Sequence, residues 1–244
     1  MTVEQLLTHT AGVPDYFDES VTDDFEAIWA DNPVYKLTAP KHFLPLFQAM
    51  KMNFEPGERF AYSNSGYILL GLVVETISGQ SYQEFVTEHV LKPCQMKNTG
   101  FFRMDMLPEN TARGHIYDED LKGWRTNIFS VPVIGGPDGG LFTTAADMNA
   151  FWEHLIGSKL LSEAMTEAML APRATLNADV GIYYGLGVYM AKVNEETTRY
   201  YVLGADPGVQ FFSVYYPLKK VTATALANTE SNIFSLLKEL NEIW

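Results

Sequence analysis

The sequence predicts an α+β fold from three observations. Helix start signals crowd the first two-thirds of the chain, aromatic and β-branched runs crowd the last third, and no internal repeat or low-complexity tract separates them. With 244 residues, 47% hydrophobic and 19% charged, the composition is that of an ordinary globular chain.

Thr2-Val3-Glu4-Gln5 has the form of a capping box and opens a helix whose apolar face begins at Leu6 and Leu7, with Gly12 placed to end it. Residues 15–31 are acidic and aromatic without a clean period, and Pro33, Pro40 and Pro45 follow, so loops and short helices are expected there. Glu55-Pro56-Gly57-Glu58 is a turn. Residues 60–65 are extended or looped and lead into a helix from about 66 to 77, stopped by Gly79. Ser81-Tyr82-Gln83-Glu84 is a second capping box, opening a helix to about Leu91 that Pro93 halts. Residues 135–140, Gly-Gly-Pro-Asp-Gly-Gly, form a close-approach loop before a third helix start at Thr144-Ala145-Ala146-Asp147.

From Gly181 the pattern changes. Residues 182–193, 197–204, 209–216 and 221–227 are strand-like runs broken by Asn194, Asp206-Pro207-Gly208 and Pro217, which predicts an antiparallel meander. In residues 231–244, Ile233, Leu236, Leu237, Leu240 and Trp244 recur at helical spacing and would cover one face of that sheet. The division is a mainly helical lobe, residues 1–170, and an α/β lobe, residues 171–244.

Charge and composition exclude several functions. Thirty acidic against seventeen basic residues give a net charge of −13, which repels nucleic-acid phosphates and anionic lipid, so no nucleic-acid partner is expected. The longest uncharged apolar run, residues 66–74, ends at Glu75, well short of the ~20 residues that span a bilayer. Residues 2–5 lack the basic and apolar pattern of a secretory signal. The lone Cys94 excludes an internal disulfide. Without HExxH, CxxC, a P-loop or a dinucleotide glycine fingerprint, neither metal nor other cofactor is expected, and without GxSxG an α/β-hydrolase nucleophile is missing. His9, His42, His89, His115 and His154 are scattered and read as structural or surface histidines.

Five phrases in register carry a resemblance: Leu6-Leu7-Thr8-His9-Thr10-Ala11-Gly12; Glu55-Pro56-Gly57; Tyr62-Ser63-Asn64-Ser65-Gly66-Tyr67; the run from Gly139-Gly140-Leu141 to Asp147-Met148; and Gly204-Ala205-Asp206-Pro207-Gly208. Together they resemble the serine β-lactamase-like hydrolases, which include class C β-lactamases, D-alanyl-D-alanine carboxypeptidases and related esterases. The resemblance implies a β-lactamase/transpeptidase-like fold, an antiparallel sheet flanked by helices plus a helical lobe. It also implies acyl transfer on small amide, lactam or ester substrates between the lobes.

Three elements make that chemistry in the family. A serine and a lysine one helical turn apart (SxxK) supply nucleophile and base. Tyr-x-Asn, matched by Tyr62 and Asn64, relays protons and orients substrate. A strand bearing Lys or His, any residue, then Gly gives an oxyanion N–H, here Ala205 beside Gly204. Without the register, Tyr62 and Asn64 read equally as turn and cap residues, and Gly139, Gly140, Gly204 and Gly208 as turn formers.

The sequence departs from this pattern twice. Val202 stands where the strand cation belongs. The nucleophile of the family lies upstream of the Leu-Leu-Thr-His-Thr phrase, which here begins at residue 6, so the N-terminal strands and the nucleophile helix are expected to be missing and the chain to be inactive as given. The one internal SxxK, Ser235-Leu236-Leu237-Lys238, points away from the apolar stripe and is expected in solvent, where lysine keeps a pKa near ~10.4. Ser63 reads as a loop residue. An incomplete sheet would also leave an exposed edge for self-association. The alternative function is a non-catalytic module that binds peptide or cell-wall ligands.

Overall fold

The computed structural model describes residues 1–18 and 26–243. Its largest element is a six-stranded antiparallel sheet in which every strand lies beside its neighbours in sequence. The order is β3 (Ala174–Asn177), β4 (Ile182–Tyr184), β5 (Tyr189–Val193), β6 (Glu196–Asp206), β7 (Val209–Tyr216) and β8 (Val221–Ala227). The expected meander is thus present. Residues 182–193 are two strands rather than one, because Gly185-Leu186-Gly187 turns the chain and Gly185 N–H donates to Val188 O. Pro207-Gly208 closes the β6–β7 hairpin with Gly208 at φ +75°, so Gly208 is a turn former. A small hairpin, β1 (His115–Asp118) with β2 (Gly123–Thr126), precedes the sheet and had no clear sequence signal.

Both faces of the sheet are covered. Tyr201, Phe212, Val214 and Tyr216 alternate onto one face and meet Ile233, Phe234, Leu237 and Leu240 of α7 (Ile233–Ile243). Leu236 corrects the expected stripe: it is 44% exposed, and Phe234 takes the flank instead. Trp244 lies outside the described residues. On the opposite face Tyr200, Val202 and Tyr215 pack with Trp152 and Leu155 of α5 (Ala145–Ile156), and Trp152 Nε1 donates to Ser213 Oγ at 2.8 Å.

The N-terminal part is helical and held by a separate core of Leu6, Val13, Trp29, Phe43, Phe47 and Ile68. It contains α1 (Val3–Leu7), α2 (Leu44–Phe47), α3 (Asn64–Ser78) and α4 (Tyr82–Val86), and a π-turn continues α4 through Thr87–Leu91. α6 (Glu163–Leu170) follows α5. The capping boxes at Thr2 and Ser81 and the Thr144 cap all form, and Gly79 ends α3 at φ +71°. Gly12 does not end α1. The helix stops at Leu7, where Thr8 Oγ bonds back to Glu4 O and His9 turns left-handed at φ +53°. Gly12 serves a close approach instead, since a Cβ there would lie 2.2 Å from Phe54 O.

The loop 135–140 is seated on α3, and Gly71 makes this possible: a Cβ there would lie 2.1 Å from Pro137 Cγ. Asp138, next in this loop, is met by the Tyr16 hydroxyl from the N-terminal part of the chain.

Candidate active site

Tyr62, Ser63 and Asn64 form the turn into α3. Ser63 is the N-cap, its Oγ accepting from Gly66 N–H at 3.1 Å, so this hydroxyl is committed to the helix. Ser65 is fully buried, with Oγ accepting from Tyr16 N–H at 2.9 Å. Asp15 holds the turn from below. Its Oδ2 accepts from both the backbone N–H and the Nδ2 of Asn64 at 3.0 Å, and its Oδ1 accepts from Ser65 N–H at 3.3 Å and Phe17 N–H at 3.4 Å. The Asn64 amide is therefore fixed with one N–H spent and Oδ1 open as an acceptor. Burial pushes the Asp15 carboxyl up to about 6, opposed by these donors.

His9 holds the turn from the side. It is only 3% exposed and stacks on Tyr67, with ring centroids 4.9 Å apart, and lies 4.3 Å from the Tyr62 ring. Its Nδ1 accepts from Ser63 N–H at 3.1 Å, which places the proton on Nε2. The bonds then run in one direction: His9 Nε2–H to Tyr184 Oη at 3.3 Å, Tyr184 hydroxyl to Tyr67 Oη at 3.5 Å, and Tyr67 hydroxyl to Leu7 O at 3.0 Å. Burial drives the His9 pKa down to about 4, so the ring is neutral at physiological pH.

Tyr62 is 52% exposed, and its hydroxyl has no hydrogen-bond partner among the described residues. Packing against this aromatic cluster, then the nearby Tyr189 and Asp15, raises the phenol above its ordinary range. Tyr62 is thus a protonated donor here. It becomes a base only with a cation placed beside it.

A cavity of about 270 Å³ opens beside Tyr62, walled by Tyr67, Tyr82, Phe101 and Tyr184, with Asp138 on the glycine loop. Tyr16 donates to Asp138 Oδ2 at 2.6 Å, and burial raises the Asp138 carboxyl to about 6 against that bond. Gly204 and Ala205 do not line this cavity. They lie on β6, paired through Phe211 and Gln210 to β7, while β5 pairing ends at Tyr189 with Tyr201. Residues 202–206 therefore have one side of the ladder free of β5. At the end of β6 the Asp206 side chain approaches the glycine loop, its Oδ2 4.0 Å from where a Cβ on Gly139 would lie.

Val202 is seated in apolar packing with Met148 and Trp152. Ser235 and Lys238 are exposed on α7, as expected, with Ser235 Oγ donating to Asn232 O at 2.7 Å. The sequence pattern does not single out His9, Asp15 or Asp138 as site residues, although His9 lies within the phrase Leu6-Leu7-Thr8-His9-Thr10-Ala11-Gly12. Among the described residues no group of three His, Cys, Asp or Glu is arranged to hold a metal, and no helix is long and apolar enough to cross a membrane.

The model of the Beta-lactamase family matches residues 1–241. Penicillin-binding protein 4* of Bacillus subtilis (strain 168) is 26% identical over 95% of this chain, which spans 52% of that protein, about half its length. Among solved structures, a penicillin binding protein from Bacillus halodurans superposes with a TM-score of 0.96 at 45% identity, covering 100% of this chain and 74% of that one. The octameric penicillin-binding protein homologue from Pyrococcus abyssi gives 0.77 at 25% identity, over 94% of this chain and 52% of that one. By fold, by motif order and by a family match that runs nearly end to end, this chain belongs to the β-lactamase family of serine acyl hydrolases.

Proposed function

We propose that residues 1–244 supply the proton-handling and substrate-cradling part of a serine acyl-transfer site for small amide, lactam or ester substrates, and that the attacking serine and its lysine come from outside these residues. The observation that carries this reading is the turn at Tyr62 and Asn64. Two buried side chains, His9 and Asp15, hold it, with the Tyr16 backbone N–H on Ser65 Oγ beside them, while the Tyr62 phenol is left free at a cavity mouth. Holding a reactive group rigidly with its own hydrogen bond unspent is how a site is preorganised.

In this reading the serine Oγ attacks the carbonyl carbon and its proton passes to the base pair of Tyr62 and the lysine. The lysine cation lowers the Tyr62 pKa, which this chain alone leaves raised. Asn64 Oδ1 accepts from the lysine or a substrate N–H, and Ala205 N–H steadies the oxyanion. The leaving group departs with the proton, and water then hydrolyses the acyl-serine. Ser63 and Ser65 are spent in structural bonds and Ser235 is in solvent, which supports an external nucleophile.

A second reading, a non-catalytic binding module, draws on Val202: the position for a strand cation is apolar and packed. Self-association through the β8 edge, which pairs with β7 alone among the described residues, is proposed in either case.

The test is covalent labelling by a fluorescent penicillin and a p-nitrophenyl ester, read by mass spectrometry. The chain alone stays unlabelled. A chimera completed with the part of the Bacillus halodurans protein that this chain does not cover becomes acylated, and Tyr62→Phe slows it about 10²- to 10⁴-fold. An adduct on Ser63, Ser65 or Ser235 of the chain alone overturns the assignment of the nucleophile. An inert chimera favours the binding module.

A further inference from the structure

A second cavity, of about 370 Å³, shares no lining residue with the one beside Tyr62. Glu163, Thr166, Glu167 and Leu170 of α6 form one side of it, Ser158 of the segment between α5 and α6 adds a hydroxyl, and Tyr200 of β6 adds a ring. Its size falls in the range of small-molecule sites.

Glu163, Thr166 and Glu167 stand at positions i, i+3 and i+4 and so share one helix face, their Cβ atoms about 5–6 Å apart. Neither glutamate has an ion-pair partner among the described residues, and no lysine, arginine or histidine lines the cavity. Lys159, the nearest basic residue in sequence, has its Cε against Gly157 instead, 3.7 Å from where a Cβ on that glycine would lie. Thr166 between the two carboxylates is only 4% exposed, and its Oγ1 has no hydrogen-bond partner among the described residues. Other helical hydroxyls of this chain bond to the carbonyl four residues earlier: Thr76 donates to Leu72 O, Ser78 to Val74 O and Thr87 to Gln83 O, each at 2.7 Å. At Thr166 the backbone N–H reaches Ser162 O, at 2.8 Å, and the hydroxyl does not. A buried hydroxyl left unpaired costs stability until a ligand satisfies it.

The group that completes this face carries positive charge, several N–H donors and an apolar body. A primary ammonium has three donors, and Glu163, Thr166 and Glu167 offer it three acceptor side chains. Leu170 gives apolar surface to a carbon chain, and the face of the Tyr200 ring attracts both the chain and the charge.

We propose that this cavity is a binding site, separate from the acyl-transfer cleft, for a primary alkylammonium. Its N–H groups are shared among Glu163, Thr166 and Glu167, and its carbon chain lies against Leu170 and Tyr200. The inference does not rest on the acyl-transfer reading, and its test needs no acylation.

The experiment is an NMR titration of the ¹⁵N-labelled 244-residue chain with pentylamine, pentyltrimethylammonium and 1-pentanol, followed at the backbone amides of residues 156–170 and 200. The three share a carbon chain; the second keeps the charge without N–H donors, and the third has no charge. Pentylamine is expected to bind at least about tenfold more tightly than pentyltrimethylammonium, the ratio for one charge-assisted hydrogen bond, and 1-pentanol most weakly. Glu163→Gln combined with Glu167→Gln, both at exposed positions, is expected to abolish the preference for pentylamine. Thr166→Val is expected to weaken pentylamine about tenfold without lowering the melting temperature, because the hydroxyl has no partner to lose. Nα-acetyl-lysine methylamide carries the same ammonium on a peptide unit: tighter binding than pentylamine makes the ligand a lysine side chain, weaker binding makes it a free amine, and either order supports the site. Equal or tighter binding of pentyltrimethylammonium, no saturable binding, shifts confined to other residues, or a preference that survives the double glutamine substitution overturns the proposal. A lowered melting temperature with unchanged binding in Thr166→Val also overturns it, by making the hydroxyl structural. If Thr166→Val does not fold, the glutamine variant decides.

Discussion

The turn before α3 and the free stretch of β6 both carry residues marked out for chemistry, yet they are fixed by different forces. Ser63 and Asn64 are held by side chains from a distant part of the chain, His9 and Asp15, through bonds of 3.0 to 3.1 Å. Gly204 and Ala205 are held by backbone pairing to β7. A side-chain clamp can be removed by one substitution, whereas a backbone ladder tolerates most of them. The first region is therefore the sensitive one.

Asp15→Ala is the strongest way to break this contrast. It leaves the Asn64 N–H and Nδ2 and the Ser65 and Phe17 N–H groups without their acceptor, at a cost of about 3 kcal/mol or more in urea denaturation. A loss under about 1 kcal/mol would show that the clamp is dispensable. Next comes Val202→Lys, the change that restores a cation to the strand. Placing it among Met148 and Trp152 should cost about 2 kcal/mol, and a neutral result would show that the long side chain escapes to the cleft.

His9→Phe keeps the ring but loses the acceptor for Ser63 and the donor to Tyr184, costing about 1–3 kcal/mol at pH 7. Its pH dependence sharpens the comparison. The folded pKa of His9 is lowered to about 4 from 6.5, so its contribution is present above pH 6.5 and is lost as pH falls toward 4. The gap between wild type and variant should close over that window. Asp15 and Asp138, raised to about 6, act with the opposite sign, favouring the folded state below about 4 and losing that contribution as pH rises through 6. A gap that widens toward acid would mean that His9 is protonated in the fold. The smallest effect is expected at the strand. A Cβ on Gly204 meets Phe211 Cδ1 at 3.7 Å, an ordinary contact, so Gly204→Ala should change stability by no more than about 0.5 kcal/mol.

The same contrast explains what could be read from the sequence. The Ser81 capping box, Gly79, the Thr144 cap and the aromatic and β-branched runs of β6 and β7 are local signals, set within a few residues, and each element forms where its signal lies. The roles of His9, Asp15 and Asp138 depend on partners 175, 49 and 122 positions away, and nothing near a lone Asp or His announces such a partner. Phe234 and Leu236 flank the same stripe of α7, and only the shape of the sheet beneath decides which is buried. Gly12 does not mark the end of α1, because it has the positive φ of a helix terminator but uses it to pass Phe54.

The sequential order of the six-stranded sheet has a kinetic consequence. Each of its pairings closes a short stretch of chain, so the loop entropy of forming it is small, and hairpins of this kind assemble quickly. The His9–Tyr184 contact closes 175 residues and Tyr16–Asp138 closes 122, and they can form only after the segments between them have collapsed. During refolding the meander is therefore regained early and the pocket late. A chain caught midway would have its strands in place while Tyr62 was still unanchored.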